Sequence, residues 1–80
     1  MVDYVLEGKK LNSQAHSYIK KALKLPEYYG CNLDALYDCL TDICDLCRIH
    51  IEGSCWADPR ILAVFEDAAE ENDCILLELA

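Results

Sequence analysis

Apolar and polar positions change period several times along the chain, and each change predicts an element. Val2, Tyr4 and Leu6 alternate with Asp3 and Val5, and Gly8 ends the run, so Met1 to Leu6 reads as a short strand. Asn12 and Ser13 are good N-cap residues for a following helix. There Ala15, Tyr18, Ile19, Ala22 and Leu23 share one face, Lys20, Lys21 and Lys24 lie off it, and Pro26 is the expected stop. Glu27 to Cys31 reads as a loop, after which Asn32 caps a second helix expected over Leu33 to Cys44. Leu33, Leu36, Cys39, Leu40 and Ile43 form its apolar stripe. Cys47 to Glu52 predicts a second strand, with Ile49 and Ile51 facing one way and Arg48 and His50 the other. Gly53 to Ala57 is a loop or single turn. Asp58 followed by Pro59 is an N-cap with proline at N1, and the helix it starts runs to about Asn72, burying Ile61, Leu62, Phe65, Ala68 and Ala69. Cys74 to Leu79 predicts a third strand.

The order is strand, helix, helix, strand, helix, strand. Strands separated by helices pair in parallel through right-handed crossovers. The expected fold class is therefore α/β, a three-stranded parallel sheet packed with three main helices. Eighty residues are one domain, 1–80, with a marginal core that needs nearly every apolar residue. There is no internal repeat, low-complexity tract or linker.

Charge changes the picture. Net charge is −8, and it is unevenly spread. Residues 1–26 set five lysines against Asp3 and Glu7, net +3, while residues 27–80 set Arg48 and Arg60 against thirteen acids, net −11. A phosphate-binding surface needs clustered cations, so nucleic acid is not the expected partner. A cationic partner for the second half is. On the second helix Asp34, Asp38 and Asp42 are successive i,i+4 neighbours, and Thr41 and Asp45 extend that face. Like charges at this spacing cost an isolated helix roughly 0.2–0.5 kcal/mol per pair. The last helix repeats the pattern with Glu66 and Glu70, and with Asp67 and Glu71. Tyr28 and Tyr29 precede the acidic helix and Tyr37 lies beside its acidic face. Rings beside carboxylates suit a protein interface; the alternative for each, and most of all for Tyr29, is core packing with a wet hydroxyl.

The six cysteines, Cys31, Cys39, Cys44, Cys47, Cys55 and Cys74, allow a disulfide framework. The opening Met1-Val-Asp-Tyr-Val-Leu lacks the basic and apolar regions of a secretory leader, and no apolar run reaches the roughly 20 residues of a membrane span. Free thiols in a reducing cytoplasm are expected. Cys39, Cys44 and Cys47 have x4 and x2 spacing with His50 following, which leaves a metal or redox site as a rival reading. Asp34 and Asp38 on an exposed helix face, without a nucleophile–base motif or phosphate-binding loop, argue against an enzyme. No cofactor or structural metal is expected.

The run Leu25-Pro-Glu-Tyr-Tyr-Gly-Cys-Asn-Leu-Asp-Ala-Leu-Tyr-Asp-Cys-Leu-Thr41 closely resembles the signature of the barstar family, intracellular inhibitors of barnase-type ribonucleases. A weaker likeness covers Val64-Phe65 through Cys74-Ile75, and the segment between Gly53 and Pro59 is shorter than the family's by roughly one helix. The resemblance implies a monomer that binds a basic ribonuclease one to one, inserting the second helix and its preceding loop into the active site. It implies that Asp38 occupies a phosphate subsite, Asp34 pairs with a cation at the cleft, and Tyr28 packs on a catalytic histidine. Tyr37 stands where the family has Trp, Asp67 where it has Glu, and Cys31 where it has Glu. Gly30, Asn32 and Leu33 would offer loop and backbone contacts, Tyr29 would belong to the same loop, and Thr41 and Glu71 would lie at the rim. The remaining alternative is an acidic interaction module of the same fold that binds a different basic protein.

Overall fold

A computed structural model of the chain describes residues 2–12, 15–27, 29–30 and 32–80. These form strand β1 (Val2–Glu7), helix α1 (Ala15–Ala22), helix α2 (Leu33–Thr41), strand β2 (Cys47–Glu52), helix α3 (Pro59–Glu71) and strand β3 (Ile75–Leu79). Single 3-10 turns follow β1 at Gly8–Lys10 and β2 at Ser54–Trp56. The sheet is wholly parallel in the order β1-β2-β3, with Val2 opposite Cys47 and Cys47 opposite Ile75. The expected α/β architecture is what the chain adopts.

The sheet has one dry face. Leu6, Cys47, Ile49, Ile51 and Ile75 point inward and are buried, whereas Asp3, Val5, Glu7, Arg48, Glu52, Leu76 and Glu78 are exposed on the other side. Sequential strand order with right-handed crossovers puts all the connecting helices on the same side. That is why β2 alternates rather than reading as the continuous apolar run of a strand covered twice. Ala15 and Ile19 of α1, Leu36 and Leu40 of α2, and Ile61, Phe65 and Ala68 of α3 complete the core. Leu11 joins them from the β1–α1 link, fully buried, and its carbonyl accepts the Asp58 N–H at 2.8 Å. Gly8 is required by a close approach: a Cβ there would lie 2.1 Å from the carbonyl oxygen of Gly53. Gly53 itself is left-handed at φ 64°.

Element ends depart from the expected ones for local reasons. The first strand ends at Glu7, one residue later, and Met1 lies outside the described residues. Among the described residues the Asn12 side chain accepts no N–H of α1. The backbone carbonyl of Asn12 accepts the Ala15 N–H, while Nδ2 donates to the carbonyls of Lys9 and Trp56; Ser13 lies outside the described residues. Helix α1 stops before Pro26 can act. Lys24 takes a left-handed conformation (φ 54°), and the Leu25 N–H reaches back to the Lys20 carbonyl at 3.0 Å, the 6→1 bond of a Schellman end. Helix α2 ends at Thr41, not Cys44. The third strand starts at Ile75, because Cys74 belongs to the turn before it.

Candidate functional site

Helix α2 presents the acidic face. Its first turn is held by Asn32, whose Oδ1 accepts the Ala35 N–H at 2.7 Å. Leu36 and Leu40 are fully buried, with Leu33, Cys39 and Tyr37 half-buried against the same core. Burying that stripe turns Asp34 and Asp38 outward, and both are exposed. Gly30 and Asn32 are exposed in the entry to the helix. The Thr41 hydroxyl donates to the carbonyls of Tyr37 and Asp38 (3.0 and 3.1 Å), so this half-buried side chain folds onto its own helix.

Helix α3 packs beside α2 and extends the surface. Asp58 caps it by accepting the Arg60 N–H at 2.9 Å, with Pro59 in the first turn. The Arg60 guanidinium folds back on the same carboxylate (Nη2 to Oδ2, 3.0 Å). Those side-chain hydrogen bonds, then the backbone one, hold the Asp58 carboxyl below the usual range. Asp67 and Glu71 are exposed. Asn72 joins the two helix ends: its Nδ2 donates to the carbonyls of Leu40 (3.0 Å) and Ile43 (2.9 Å) at the end of α2. Glu71 immediately precedes this junction on α3, and Asp67 lies one helical turn before Glu71. Among the described residues no ion pair includes Asp34, Asp38, Asp42, Asp45, Asp67 or Glu71. The negative field is felt locally, since burial first, then Asp42 and Asp38, push the Cys39 thiol up.

One tyrosine of the expected surface turns away from it. Tyr29 is only 5% exposed; its ring lies in the core and its hydroxyl meets His16 Nδ1 at 2.5 Å. It anchors the loop from inside. Tyr28 lies outside the described residues, as does Cys31. The reading from sequence missed two anchors, His16 and Asn72, because each acts on a residue distant in sequence, Tyr29 and the end of α2.

The thiols of the rival reading, Cys39, Cys44 and Cys47, line one cavity but come from different environments. Cys47 points into the core, Cys44 is exposed on the loop, and His50 lies on the open face of the sheet, 3.3 Å from Glu78. Burial, then the neighbouring Cys74, pushes the Cys47 thiol up. Among the described residues no three His, Cys, Asp or Glu side chains are grouped to hold a metal ion. No helix among them is long and apolar enough to cross a membrane.

Known proteins resemble this chain in sequence. The chain is 58% identical over 31 residues to YrdF of Bacillus subtilis (strain 168), a protein provisionally named a ribonuclease inhibitor. That stretch is 39% of this chain and 34% of the relative, so the match spans about a third of the relative's length. The family described as Barstar (barnase inhibitor) matches residues 2–77. A match that runs from the first residue of β1 into β3 takes in every element of the fold, and the chain belongs to the barstar family.

Proposed function

We propose that the chain is a protein inhibitor of a basic, barnase-type ribonuclease, binding one to one and closing the active site with α2 and the loop before it. The observation that carries this is the pair of exposed carboxylates Asp34 and Asp38 on one helix, in no ion pair among the described residues, with Asp67 and Glu71 exposed on the helix packed beside it. A ribonuclease cleft is positive because it binds phosphate, and a carboxylate held on a helix can stand where a phosphate would. In this reading Asp38 enters the phosphate subsite, Asp34 pairs at the cleft edge, and Tyr37 and Leu33 supply apolar contact. Gly30 and Asn32 line the entry loop, with Tyr28 the ring contact the family resemblance assigns. Asp67, Glu71 and Thr41 flank the plug. Membership of a family described as barnase inhibitors and the name of the Bacillus relative support it. The inhibitor is read as a single-domain monomer acting in a reducing cytoplasm.

The test is inhibition and affinity. Purified chain at one equivalent should abolish the activity of a barnase-type ribonuclease; several such enzymes left fully active by excess chain would sink the proposal. Asp38→Ala should weaken binding at least a hundredfold, about 3 kcal/mol, while Glu70→Ala changes it less than about threefold. Equal losses would mean that the contact surface is elsewhere. Barnase and barstar are themselves the reference system for such charge pairs, and the expected magnitude is carried over from that pair.

A further inference from the structure

Asn72 uses every polar group it has. As the C-cap of α3, its N–H donates to the Ala68 carbonyl at 2.8 Å and its own carbonyl accepts the Ile75 N–H at 3.1 Å. Its side chain then leaves α3 for α2. Nδ2 donates to the carbonyls of Leu40 at 3.0 Å and Ile43 at 2.9 Å, with that of Thr41 at 3.4 Å. Oδ1 accepts the Cys74 N–H at 2.9 Å.

The carbonyls it meets lie in the last turn of α2 and just beyond it, where intrahelical donors run out; that of Leu40 also accepts the Ile43 N–H at 3.2 Å. The usual remedy is a Lys, Arg or His in the last turn, which also suits the negative end of the helix dipole. Helix α2 has none there; Asp42 is its C-cap and Asp45 follows. A cation at this point would satisfy the carbonyls and cancel part of the charge the surface presents. A primary amide satisfies them at zero charge. The same side chain is one bond network away from Glu71, its chain neighbour, so it also sets how α3 sits along α2.

We propose that Asn72 is a positioning residue of the inhibitory surface, an uncharged clamp that locks α2 to α3 so that carboxylates of both helices meet one cationic partner at full negative charge. The proposal rests on the inhibitor reading above.

Asn72→Asp separates positioning from charge, because it is nearly isosteric, keeps an acceptor for Cys74 and loses both donors. Added negative charge should leave association with a barnase-type ribonuclease as fast or faster, while loss of the clamp should speed dissociation at least tenfold. A double-mutant cycle should show coupling: Asp67→Asn with Glu71→Gln costs binding in the native background and little in Asn72→Asp, whereas Asp38→Asn costs the same in both. Amide exchange on the free protein should be at least tenfold faster at Asp42 and Ile43 in the variant and unchanged at Ile49 in β2. If Asn72→Asp does not fold, Asn72→Ala takes its place in all three measurements. Unchanged dissociation, or α3 carboxylates that count equally in both backgrounds, overturns the positioning role. If the native chain binds no barnase-type ribonuclease, the inhibitor reading fails and the surface role with it. Exchange then decides the clamp alone, and equal rates at Asp42 and Ile43 would remove it.

Discussion

Lys24 shows how one backbone angle can shorten a helix. At φ 54° an L-residue with a Cβ is crowded against its own carbonyl, at a cost of roughly 1–2 kcal/mol. The chain accepts this because the Leu25 N–H then satisfies the Lys20 carbonyl, and Leu25 and Pro26 turn away from the helix axis. Glycine would adopt the same angle without the clash, offset by a larger entropy loss on folding. Lys24→Gly should therefore stabilise the fold by about 0.5–1 kcal/mol, read as a rise of a few degrees in Tm. An unchanged or lower Tm would mean that the lysine stem contributes packing that outweighs the strain. Tyr29 makes a related point about single residues. A ring 5% exposed, with its hydroxyl on His16, holds the loop before α2 by packing, whatever the rest of the loop touches.

At the scale of the element, the two acidic helices begin well and end badly. Asn32 and Asp58 supply side-chain acceptors to the first turns, and Asp34 sits where the dipole favours an anion. Neither α2 nor α3 has a basic residue in its last turn. The start of α3 carries a pH dependence. Arg60 holds the folded Asp58 pKa below its ordinary value of 3.8, so the unfolded chain binds the proton more readily. That contribution is complete above the ordinary value and fades as the pH falls through the lowered one. Asp58→Ala should thus lower Tm at neutral pH, and the gap from the native chain should narrow as the pH falls below the ordinary value of 3.8. A gap that stays constant across that window would show that the carboxylate's charge plays no part in the cap.

At the scale of the whole molecule, charge is sorted by side and by half. Among the described residues no α1 lysine pairs with a carboxylate of α2 or α3, and of the acids in residues 27–80, Asp34, Asp38, Asp67 and Glu71 of the candidate surface are in no ion pair. Such a field acts at a distance, and the Debye length falls from about 30 Å at 0.01 M salt to about 3 Å at 1 M. Association with the proposed ribonuclease should slow at least tenfold between roughly 0.05 M and 0.5 M salt, with dissociation changing far less. A flat association rate in stopped-flow measurements would reject electrostatic steering and leave shape alone to explain binding.

Sequence by itself determined the order and type of the elements, the parallel sheet and the outward acidic face of α2. Each of those follows from short-range periodicity, from caps a few residues away, and from the chirality of crossovers. The run Leu25 to Thr41 also carried the family, because its motif is contiguous. Only the tertiary structure decided the rest. It drew Tyr29 inward to His16, brought Leu11 into the core, buried Cys47 of the x4, x2 set while leaving Cys44 exposed, and ended α2 at Thr41. At that end it set Asn72, which lies 32 positions along the chain from Leu40 and 3.0 Å away in space. No local pattern encodes that contact, since an asparagine after a helix reads as its own cap, and only packing α3 against α2 gives its amide a second helix to hold.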